Sequence, residues 1–218
     1  MPINVFLADD HAVVRDGLRS LLEGSGNINV VGSEANGREV VRQIQKLCPD
    51  VVLMDIAMPE LNGIEATAQI CKICPSTRVI ILSMHHTTEY IYQALKAGAK
   101  GYILKESAGQ EVVNAVRKVY AGHRYLSRLI EEKVIDNYTQ RHKTVSSASL
   151  LDKLSSRERE ILQLVVEGRS SAKIAEVLYI SPKTVETYRS RLMQKIGVKD
   201  IPSLVKFAIQ HGLTSVDT

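Results

Sequence analysis

Long apolar runs are missing from this chain of 218 residues. No stretch approaches the roughly 18 consecutive apolar residues that a membrane-spanning helix needs. The first residues, MPINVFLADDH, have no basic lead and soon reach acidic side chains, so we do not expect a secretory signal. Hydrophobic content of 44% and charged content of 24% are typical of globular proteins. The sequence therefore predicts a cytoplasmic protein.

Cysteine is also scarce, with three residues in the whole chain. Cys48, Cys71 and Cys74 cannot all pair, which agrees with a reducing compartment. Cys71 and Cys74 have C-x-x-C spacing, but no second pair or nearby histidine completes a zinc site. The same spacing fits the buried side of a helix that carries Ile70 and Ile73. Ordinary packing is the simpler interpretation, and a metal or redox role is the alternative.

The charge is spread unevenly. Residues 1–140 carry 15 Lys and Arg against 16 Asp and Glu, whereas residues 153–218 carry 11 against 7. A nearly neutral first part and a basic second part indicate nucleic-acid binding towards the carboxyl-terminal end. Many solvated surfaces are basic, so this bias needs support from the pattern of the residues themselves.

The first 120 residues alternate short apolar runs with segments of helical periodicity. The runs typical of buried parallel strands are Ile3–Ala8, Ile28–Gly32, Val51–Met54, Val79–Leu82 and Tyr102–Leu104. Five strands alternating with five helices predict an open, doubly wound parallel sheet. In such sheets the functional site lies at the carboxyl ends of the strands.

The rest of the chain is predicted to be helical. One helix is expected from Ser127 to about Tyr138, and the polar, serine-rich stretch Gln140–Ser149 is typical of a linker. Four further helices are expected near residues 155–167, 171–178, 182–196 and 201–211. Their predicted caps and stops are a Ser155–Glu158 capping box, Ser181 before Pro182, and Gly168, Gly197 and Gly212. The predicted domains are residues 1–121, a helix and flexible linker over 122–149, and a helical domain over 150–218.

Polar side chains follow the predicted strands where each strand ends. Asp9 and Asp10 follow the first strand, Asp55 the third, Ser83 the fourth and Lys105 the fifth. Clustered carboxylates repel unless a cation neutralises them, and a hard divalent ion such as Mg²⁺ suits oxygen ligands. Taken singly, each residue is more simply a helix cap or a solvated charge. Together they favour phosphoryl transfer to an aspartate, with metal and lysine neutralising the transferred oxygens.

At these residues the sequence resembles the receiver domain of two-component response regulators, over about residues 3–120. The similar motifs are LADDH, MDIAMPELNG, Leu82-Ser83 and GAKGYILK. The resemblance implies a flavodoxin-like (βα)5 fold with Asp55 as the phosphoacceptor. It also implies Mg²⁺ held by Asp10, Asp55 and the backbone carbonyl of Ala57, with Asp9 acting through water.

The same resemblance assigns a switch. Ser83 and Lys105 would bind the phosphoryl oxygens, and Tyr102 matches the aromatic position that turns inward when the hydroxyl residue moves towards the phosphate. Glu106 follows the lysine where many receivers have proline. His85 and His86 lie just after Ser83, where solvated loop positions are the simpler interpretation and control of access to the phosphate is the alternative.

The last predicted domain has the pattern of a helix-turn-helix. Its third helix places Val185, Leu192 and Ile196 inward, with Tyr188 on the same side, and leaves a polar, basic outer face. Such a face on the second helix of a helix-turn-helix fits a major groove, although a small interaction module with a solvated face would look similar. The segment 154–198 closely resembles the LuxR-type helix-turn-helix through L-S-x-R-E-x-x-I-L, G-x-S-x-x-x-I-A and S-x-x-T-V.

Together the two resemblances identify the chain as a member of the NarL/FixJ family of response regulators. Candidate base contacts are Lys183, Thr184, Glu186, Thr187 and Ser190, and candidate phosphate contacts are Ser171, Lys173, Arg191 and Lys195. Lys173 and Tyr188 depart from the glutamate and histidine that are frequent in the family. The last helix is expected to support the domain or to pair two copies, and two-fold pairing predicts an inverted-repeat DNA target.

The resemblance implies a transcription regulator, not an enzyme, that a sensor histidine kinase phosphorylates and that binds double-stranded DNA as a homodimer when active. One alternative is a Mg²⁺-dependent phosphatase or phosphotransferase with Asp55 as nucleophile, but that leaves the helical domain unexplained. Another is a quorum-sensing regulator whose first domain binds a small ligand. The charged side chains at the strand ends do not suit an apolar ligand pocket and therefore argue against this alternative.

Overall fold

A computed structural model of the chain describes residues 1–141 and 150–210. It divides the chain into two compact units, Met1–Val145 and Ser146–Thr218. Within the described residues, none of the helices has both the length and the apolar character needed to cross a membrane.

The first unit is a parallel sheet with helices on both faces. Its strands are β1 Ile3–Ala8, β2 Ile28–Glu34, β3 Val51–Asp55, β4 Arg78–Ser83, β5 Gly101–Leu104 and β6 Tyr125–Leu126. Its helices are α1 Ala12–Gly24, α2 Gly37–Leu47, α3 Gly63–Ile73, α4 Thr88–Ala97, α5 Ala108–Tyr120 and α6 Arg128–Arg141. The strand order is β2-β1-β3-β4-β5-β6, and all pairs are parallel. The predicted doubly wound α/β fold is confirmed.

Successive strand residues point to opposite faces and build two cores. In β3, Val51 and Leu53 pack on the face covered by α1 and α5, whereas Val52 and Met54 pack on the face covered by α2, α3 and α4. All five residues of β3 are buried. Burial on both faces explains why Val51–Met54 appears in the sequence as a continuous apolar run.

A sixth strand extends the sheet beyond the five that the sequence predicts. The Tyr125 N–H donates to the Lys100 carbonyl at 3.0 Å, and the Ser127 N–H donates to the Tyr102 carbonyl at 3.0 Å. The helix expected near residues 127–138 is present as α6, and its Ile130 is fully buried in the core that includes Tyr102. Two residues are too few to show strand alternation, so β6 leaves no pattern in the sequence. Gln140 and Arg141, which were predicted as the start of the linker, are the last residues of α6. The other residues of the predicted linker, 142–149, lie outside the described residues.

The second unit is a helical bundle around one core. After a short 3-10 turn at Leu150–Lys153, its helices are α7 Ser156–Val166, α8 Ser171–Leu178, α9 Pro182–Ile196 and α10 Ile201–Gln210. Ser155 and Glu158 form the expected capping box, Ser181 caps α9 ahead of Pro182, and Gly197 ends α9 with a φ of 84°. The predicted stop at Gly212 lies outside the described residues. The four predicted helices are therefore confirmed to within a residue or two at the ends that the structure describes.

The cysteines are arranged differently from the sequence expectation. Cys48, at the end of α2, forms a disulfide with Cys74, at the end of α3, and Cys71 is free and half-buried. The two paired cysteines are 26 positions apart. Their proximity comes from the packing of α2 against α3, which spacing along the chain does not reveal.

Candidate functional site

The sheet brings the strand-end side chains to one edge. Asp9 follows β1, Asp55 ends β3, Ser83 ends β4 and Lys105 follows β5, and these four strands are consecutive neighbours in the sheet. β2 pairs with one side of β1, and the chain then crosses to β3 on the other side of β1. This reversal is the switch point of the sheet, and the side chains lie beside it. Asp9, Asp55 and Ser83 are almost completely buried. The predicted convergence of these side chains is therefore observed.

Lys105 connects the two buried carboxylates. Its Nζ lies 2.8 Å from Asp55 Oδ2 and 2.8 Å from Asp9 Oδ2, with only 13% of the lysine side chain exposed. Burial opposes the ammonium charge, but the Asp55 and Asp9 carboxylates outweigh it and raise the pKa of Lys105. The lysine therefore stays charged between the two buried carboxylates.

Asp55 is a buried carboxyl with a raised pKa. Burial raises its pKa to about 6, and the Asp9 and Asp10 charges add to that effect while Lys105 opposes it. At neutral pH the group is still mostly ionised. Three carboxylates against one lysine leave an excess of negative charge at this edge.

The donor set fits a divalent cation. Asp9, Asp10, His11 and Asp55 each offer a ligand atom, and these atoms all lie within 4.8 Å of one another. Carboxylate oxygens are the ligands that hard ions such as Mg²⁺ prefer. Ala57 lies in the loop between β3 and α3 that follows Asp55.

His11 is a member of this cluster that the sequence argument missed. Its Nδ1 lies 2.6 Å from Asp10 Oδ1, and its backbone N–H donates to Asp9 Oδ1 at 2.9 Å. The available signal was its position directly after the acidic pair. His11 therefore orients the two carboxylates through both its backbone and its ring.

The loop after Asp55 depends on a glycine. A Cβ atom at Gly63 would lie 1.9 Å from the backbone oxygen of Asp55, so no larger residue fits without a shift. The Gly63 N–H donates to the Ile56 carbonyl at 2.9 Å, and Asn62 caps α3 by accepting from the Glu65 N–H at 2.9 Å. The Asn62-Gly63 pair therefore sets the geometry of the loop that follows Asp55.

The predicted switch residues are connected through His85. The Tyr102 hydroxyl donates to the His85 carbonyl at 2.7 Å, and the His85 N–H donates to Ser83 Oγ at 2.9 Å. The His85 ring stacks on Tyr90, with centroids 4.4 Å apart. Tyr102 is fully buried, and burial raises its pKa, so the hydroxyl stays a donor. His85 is exposed, as expected for its loop, but its backbone also joins the Ser83 and Tyr102 side chains.

The predicted DNA-contacting residues lie on α8 and α9 of the second unit. Val185, Leu192 and Ile196 face the core and Tyr188 is half-buried, as expected. The exposed members of the predicted set are Lys173, Lys183, Glu186, Thr187, Ser190, Arg191 and Lys195, and the half-buried ones are Ser171 and Thr184. The structure therefore presents most of the set to solvent.

Some of these residues also have partners within the unit. Arg189, which the sequence argument left out, donates to Ser171 Oγ at 2.8 Å and to Glu186 Oε1 at 3.1 Å, and Ser171 also bonds to Glu186. This group joins α8 to α9. Lys173 pairs with Glu176 at 3.0 Å. Ser171 and Glu186 are thus held in place by an arginine on the same helix-turn-helix.

Lys195 has a structural partner as well. Its Nζ lies 2.7 Å from Glu158 Oε2, and Glu158 is the buried acidic member of the capping box of α7. Burial opposes ionisation of Glu158, but hydrogen bonds from Lys195 and Ser155 outweigh it and lower the pKa of Glu158. Lys195 therefore links α9 to the start of α7 while 42% of its side chain remains exposed.

An α/β unit with a charged strand-end site, followed by a helix-turn-helix unit, defines a class of two-part regulatory proteins. Known families agree with both parts. The family described as "Response regulator receiver domain" matches residues 5–117, and "Bacterial regulatory proteins, luxR family" matches residues 152–208. The chain belongs to the two-component response regulators that carry a LuxR-type DNA-binding domain, as the resemblance to the NarL/FixJ family predicted.

Individual relatives extend over nearly the whole chain. The oxygen regulatory protein NreC of Staphylococcus aureus (strain MRSA252) is 36% identical over 214 residues, covering 97% of this chain and 99% of the relative. A LuxR-family response regulator from Aurantimonas sp. SI85-9A1 is 34% identical with a TM-score of 0.62, covering 64% of this chain and 99% of that chain. The response regulator in an RcsB–DNA complex is 27% identical with a TM-score of 0.59, covering 95% and 98%.

Proposed function

We propose that a sensor histidine kinase phosphorylates this regulator on Asp55 and that phosphorylation controls dimerisation and sequence-specific DNA binding. The observation that carries the proposal is the Lys105 ammonium, 2.8 Å from both Asp55 and Asp9 at the switch point of the sheet. A buried nucleophile, a fixed cation and an acidic cluster are the parts that aspartyl phosphorylation needs.

Each side chain at the edge has a role in this proposal. An Asp55 carboxylate oxygen attacks the phosphorus of the phosphohistidine, the phosphorus–nitrogen bond breaks, and the imidazole leaves with the bonding pair. Lys105 and Ser83 bind the phosphoryl oxygens. Asp10, Asp55 and the Ala57 carbonyl would hold Mg²⁺, with Asp9 acting through water. The ion, when bound, neutralises negative charge on the transferred group.

The switch in this proposal is the Ser83–Tyr102 pair. Ser83 Oγ now accepts from the His85 N–H, and the Tyr102 hydroxyl donates to the His85 carbonyl. A phosphoryl group on Asp55 supplies acceptor oxygens that compete for the Ser83 hydroxyl. Movement of Ser83 would therefore release the His85 backbone and, through it, Tyr102 and the start of α4.

For the second unit we propose major-groove binding by α9. Base contacts come from Lys183, Thr184, Glu186, Thr187 and Ser190, and phosphate contacts from Ser171, Lys173, Arg191 and Lys195. Support comes from the exposure of most of these residues and from the similarity to the protein in the RcsB–DNA complex. In α10, Leu204 and Ala208 are buried in the core, whereas Ile209 is 36% exposed and is available for pairing two copies on an inverted repeat.

The domains we propose are a receiver over residues 1–121, a helix and linker over 122–149, and the DNA-binding domain over 150–218. We propose the cytoplasm as the compartment, since the DNA target is there. We also propose that the aspartyl chemistry regulates the chain itself and is not the turnover of an enzyme. Steady hydrolysis of a small phosphate ester by the protein would contradict this last point.

Phosphoryl incorporation tests the site directly. The full chain is treated with a small-molecule phosphodonor and Mg²⁺, and the intact mass is measured for the native chain, Asp55→Asn and Asp16→Asn. Asp16 is an exposed aspartate on α1 and serves as the matched control. We expect one phosphoryl group on the native chain and on Asp16→Asn, and none on Asp55→Asn. Equal labelling of Asp55→Asn would contradict the assignment.

A further inference from the structure

Two cysteines lie at corresponding ends of neighbouring helices. Cys48 follows the last residue of α2 and Cys74 follows the last residue of α3. Their Cα atoms are 5.9 Å apart, within the range of about 4.4–6.8 Å that disulfides need, and the pair is bonded in this structure. Oxidation and reduction therefore require no rearrangement of the backbone.

The two cysteines differ in their exposure to solvent. Cys48 is exposed, and its φ of 38° places it in the left-handed conformation that helix ends usually give to glycine or asparagine. Cys74 is 2% exposed, and its Sγ lies 3.4 Å from the Ile44 carbonyl, to which a reduced thiol can donate. An external reagent therefore reaches Cys48 first, and Cys74 is buried beside Cys48.

We propose that Cys48 and Cys74 form a thiol–disulfide exchange site that reacts reversibly with low-molecular-weight disulfides of the glutathione type. The Cys48 thiolate attacks one sulfur of the small disulfide, forms a mixed disulfide and releases one small thiol. Cys74 then loses its proton, attacks the Cys48 sulfur and releases the second small thiol. Two protein thiols are oxidised and one small disulfide is reduced to two thiols.

The position of the bond determines what it does to the protein. The segment between the cysteines contains β3, Asp55 and the loop that leads to Gly63, but the cysteines follow the ends of α2 and α3, away from the strand-end site. A bond there restricts the unfolded chain over this segment without occupying the phosphoacceptor site. Oxidation therefore stabilises the first unit and leaves Asp55 free to react, so this site does not depend on the proposed phosphorylation.

The third cysteine provides the matched control. Cys71 packs against Gly98, where a Cβ atom would lie 2.8 Å from the Cys71 Sγ. Burial raises the pKa of the Cys71 thiol, which lowers its reactive thiolate fraction. Replacing Cys71 removes a thiol from the same helix as Cys74 and leaves the exchange pair intact.

The test uses the full chain, fully reduced and then exposed to oxidised glutathione, for the native sequence, Cys71→Ser, Cys48→Ser and Cys74→Ser. Alkylation and intact mass count the free thiols, and peptide mapping locates the bond. We expect the native chain to lose two of its three free thiols and Cys71→Ser to lose its two remaining thiols. In both proteins the lost thiols should form a Cys48–Cys74 disulfide without bound glutathione. Cys74→Ser should retain one glutathione on Cys48, and Cys48→Ser should form no link.

A link between Cys71 and Cys74, or three unreacted thiols in the native chain, would overturn the proposal. Far-ultraviolet circular dichroism shows whether each variant is folded, and Cys48→Ala gives a second replacement at the same exposed position. The thermal midpoint of the native chain and of Cys71→Ser should rise on oxidation by on the order of 5–10 °C. An equal rise in Cys48→Ser would also contradict the assignment.

Discussion

The Lys105 ammonium lies 2.8 Å from a carboxylate oxygen of Asp55, and the same ammonium lies 2.8 Å from Asp9. One side chain from the end of β5 therefore holds the ends of β1 and β3 together. The distance also places a fixed positive charge beside the proposed nucleophile before any phosphoryl group arrives. Preorganised charge of this kind lowers the cost of stabilising a transition state.

Lys105→Met keeps the length of this side chain and removes its charge. Since Lys105 lowers the pKa of Asp55, the variant should raise that pKa above its present value of about 6. It should also slow phosphorylation by a small-molecule donor by about tenfold or more. The measurement is the initial rate of labelling across pH. Lys72→Met, at an exposed position on α3, should leave the rate unchanged, and an unchanged rate in Lys105→Met would remove the lysine from the mechanism.

Asp55 should make the Mg²⁺-free protein sensitive to pH. Its pKa is raised from 3.8 to about 6 by burial, so the folded state binds more protons than the unfolded state between these values. The free energy of unfolding should therefore fall as pH rises from about 4 to 6. Asp55→Asn removes the free-energy cost of ionising a buried carboxyl. The variant should therefore be more stable than the native chain at pH 7.5 by about 1–3 kcal/mol.

The same reasoning predicts how pH and Mg²⁺ change the difference in stability between the native chain and Asp55→Asn. At pH 4 the Asp55→Asn variant and the native chain should have similar stability, and Mg²⁺ at pH 7.5 should stabilise only the native chain. Denaturant titrations at both pH values, with and without Mg²⁺, measure these differences. A native chain whose stability does not change between pH 4 and 6 relative to Asp55→Asn would contradict the buried, ionised carboxylate.

Gly63 should tolerate no side chain. A methyl group there would lie 1.9 Å from the Asp55 backbone oxygen, so Gly63→Ala should destabilise the first unit by about 3 kcal/mol and displace the loop that follows Asp55. Gly17 is the matched control, because it lies on α1 with no atom within 4 Å of a built Cβ. Gly17→Ala should stabilise the unit by about 0.5–1 kcal/mol. Thermal unfolding of both variants checks the opposite signs.

Substitutions of Arg191 and Lys195 should distinguish an effect on DNA affinity alone from an effect that also lowers protein stability. Arg191→Ala should reduce the salt dependence of DNA binding by about one unit of log–log slope and leave the thermal midpoint unchanged. Lys195→Met also breaks the 2.7 Å pair with buried Glu158 and should cost about 1–2 kcal/mol of stability. Binding isotherms at several salt concentrations, combined with thermal unfolding, give both quantities. Equal loss of stability in the two variants would contradict the structural role of Lys195.

The sequence predicted the features that have a strong local pattern. Buried strands leave continuous apolar runs, such as Val51–Met54 in β3, and the Ser155–Glu158 capping box is visible as a serine and a glutamate at fixed spacing. The convergence of Asp9, Asp55 and Lys105 followed from a general property of parallel sheets, because their carboxyl ends share one edge.

The missed features depend on contacts between distant segments. The Cys48–Cys74 pair depends on how α2 packs against α3, and the two-residue strand β6 is too short to show a period. Arg189 was left out because its partner Ser171 lies on another helix. The backbone role of His85 is independent of its side chain, so no residue pattern can indicate it.

The most direct test of the central claim is DNA binding by the native chain and by Asp55→Asn, each with and without a small-molecule phosphodonor and Mg²⁺. Salt must be held fixed, because phosphate contacts make affinity depend strongly on it. We predict that the donor increases the DNA affinity of the native chain and leaves that of Asp55→Asn unchanged. Equal affinity of the native chain with and without the donor, or an equal gain in Asp55→Asn, would contradict control of DNA binding by phosphorylation of Asp55.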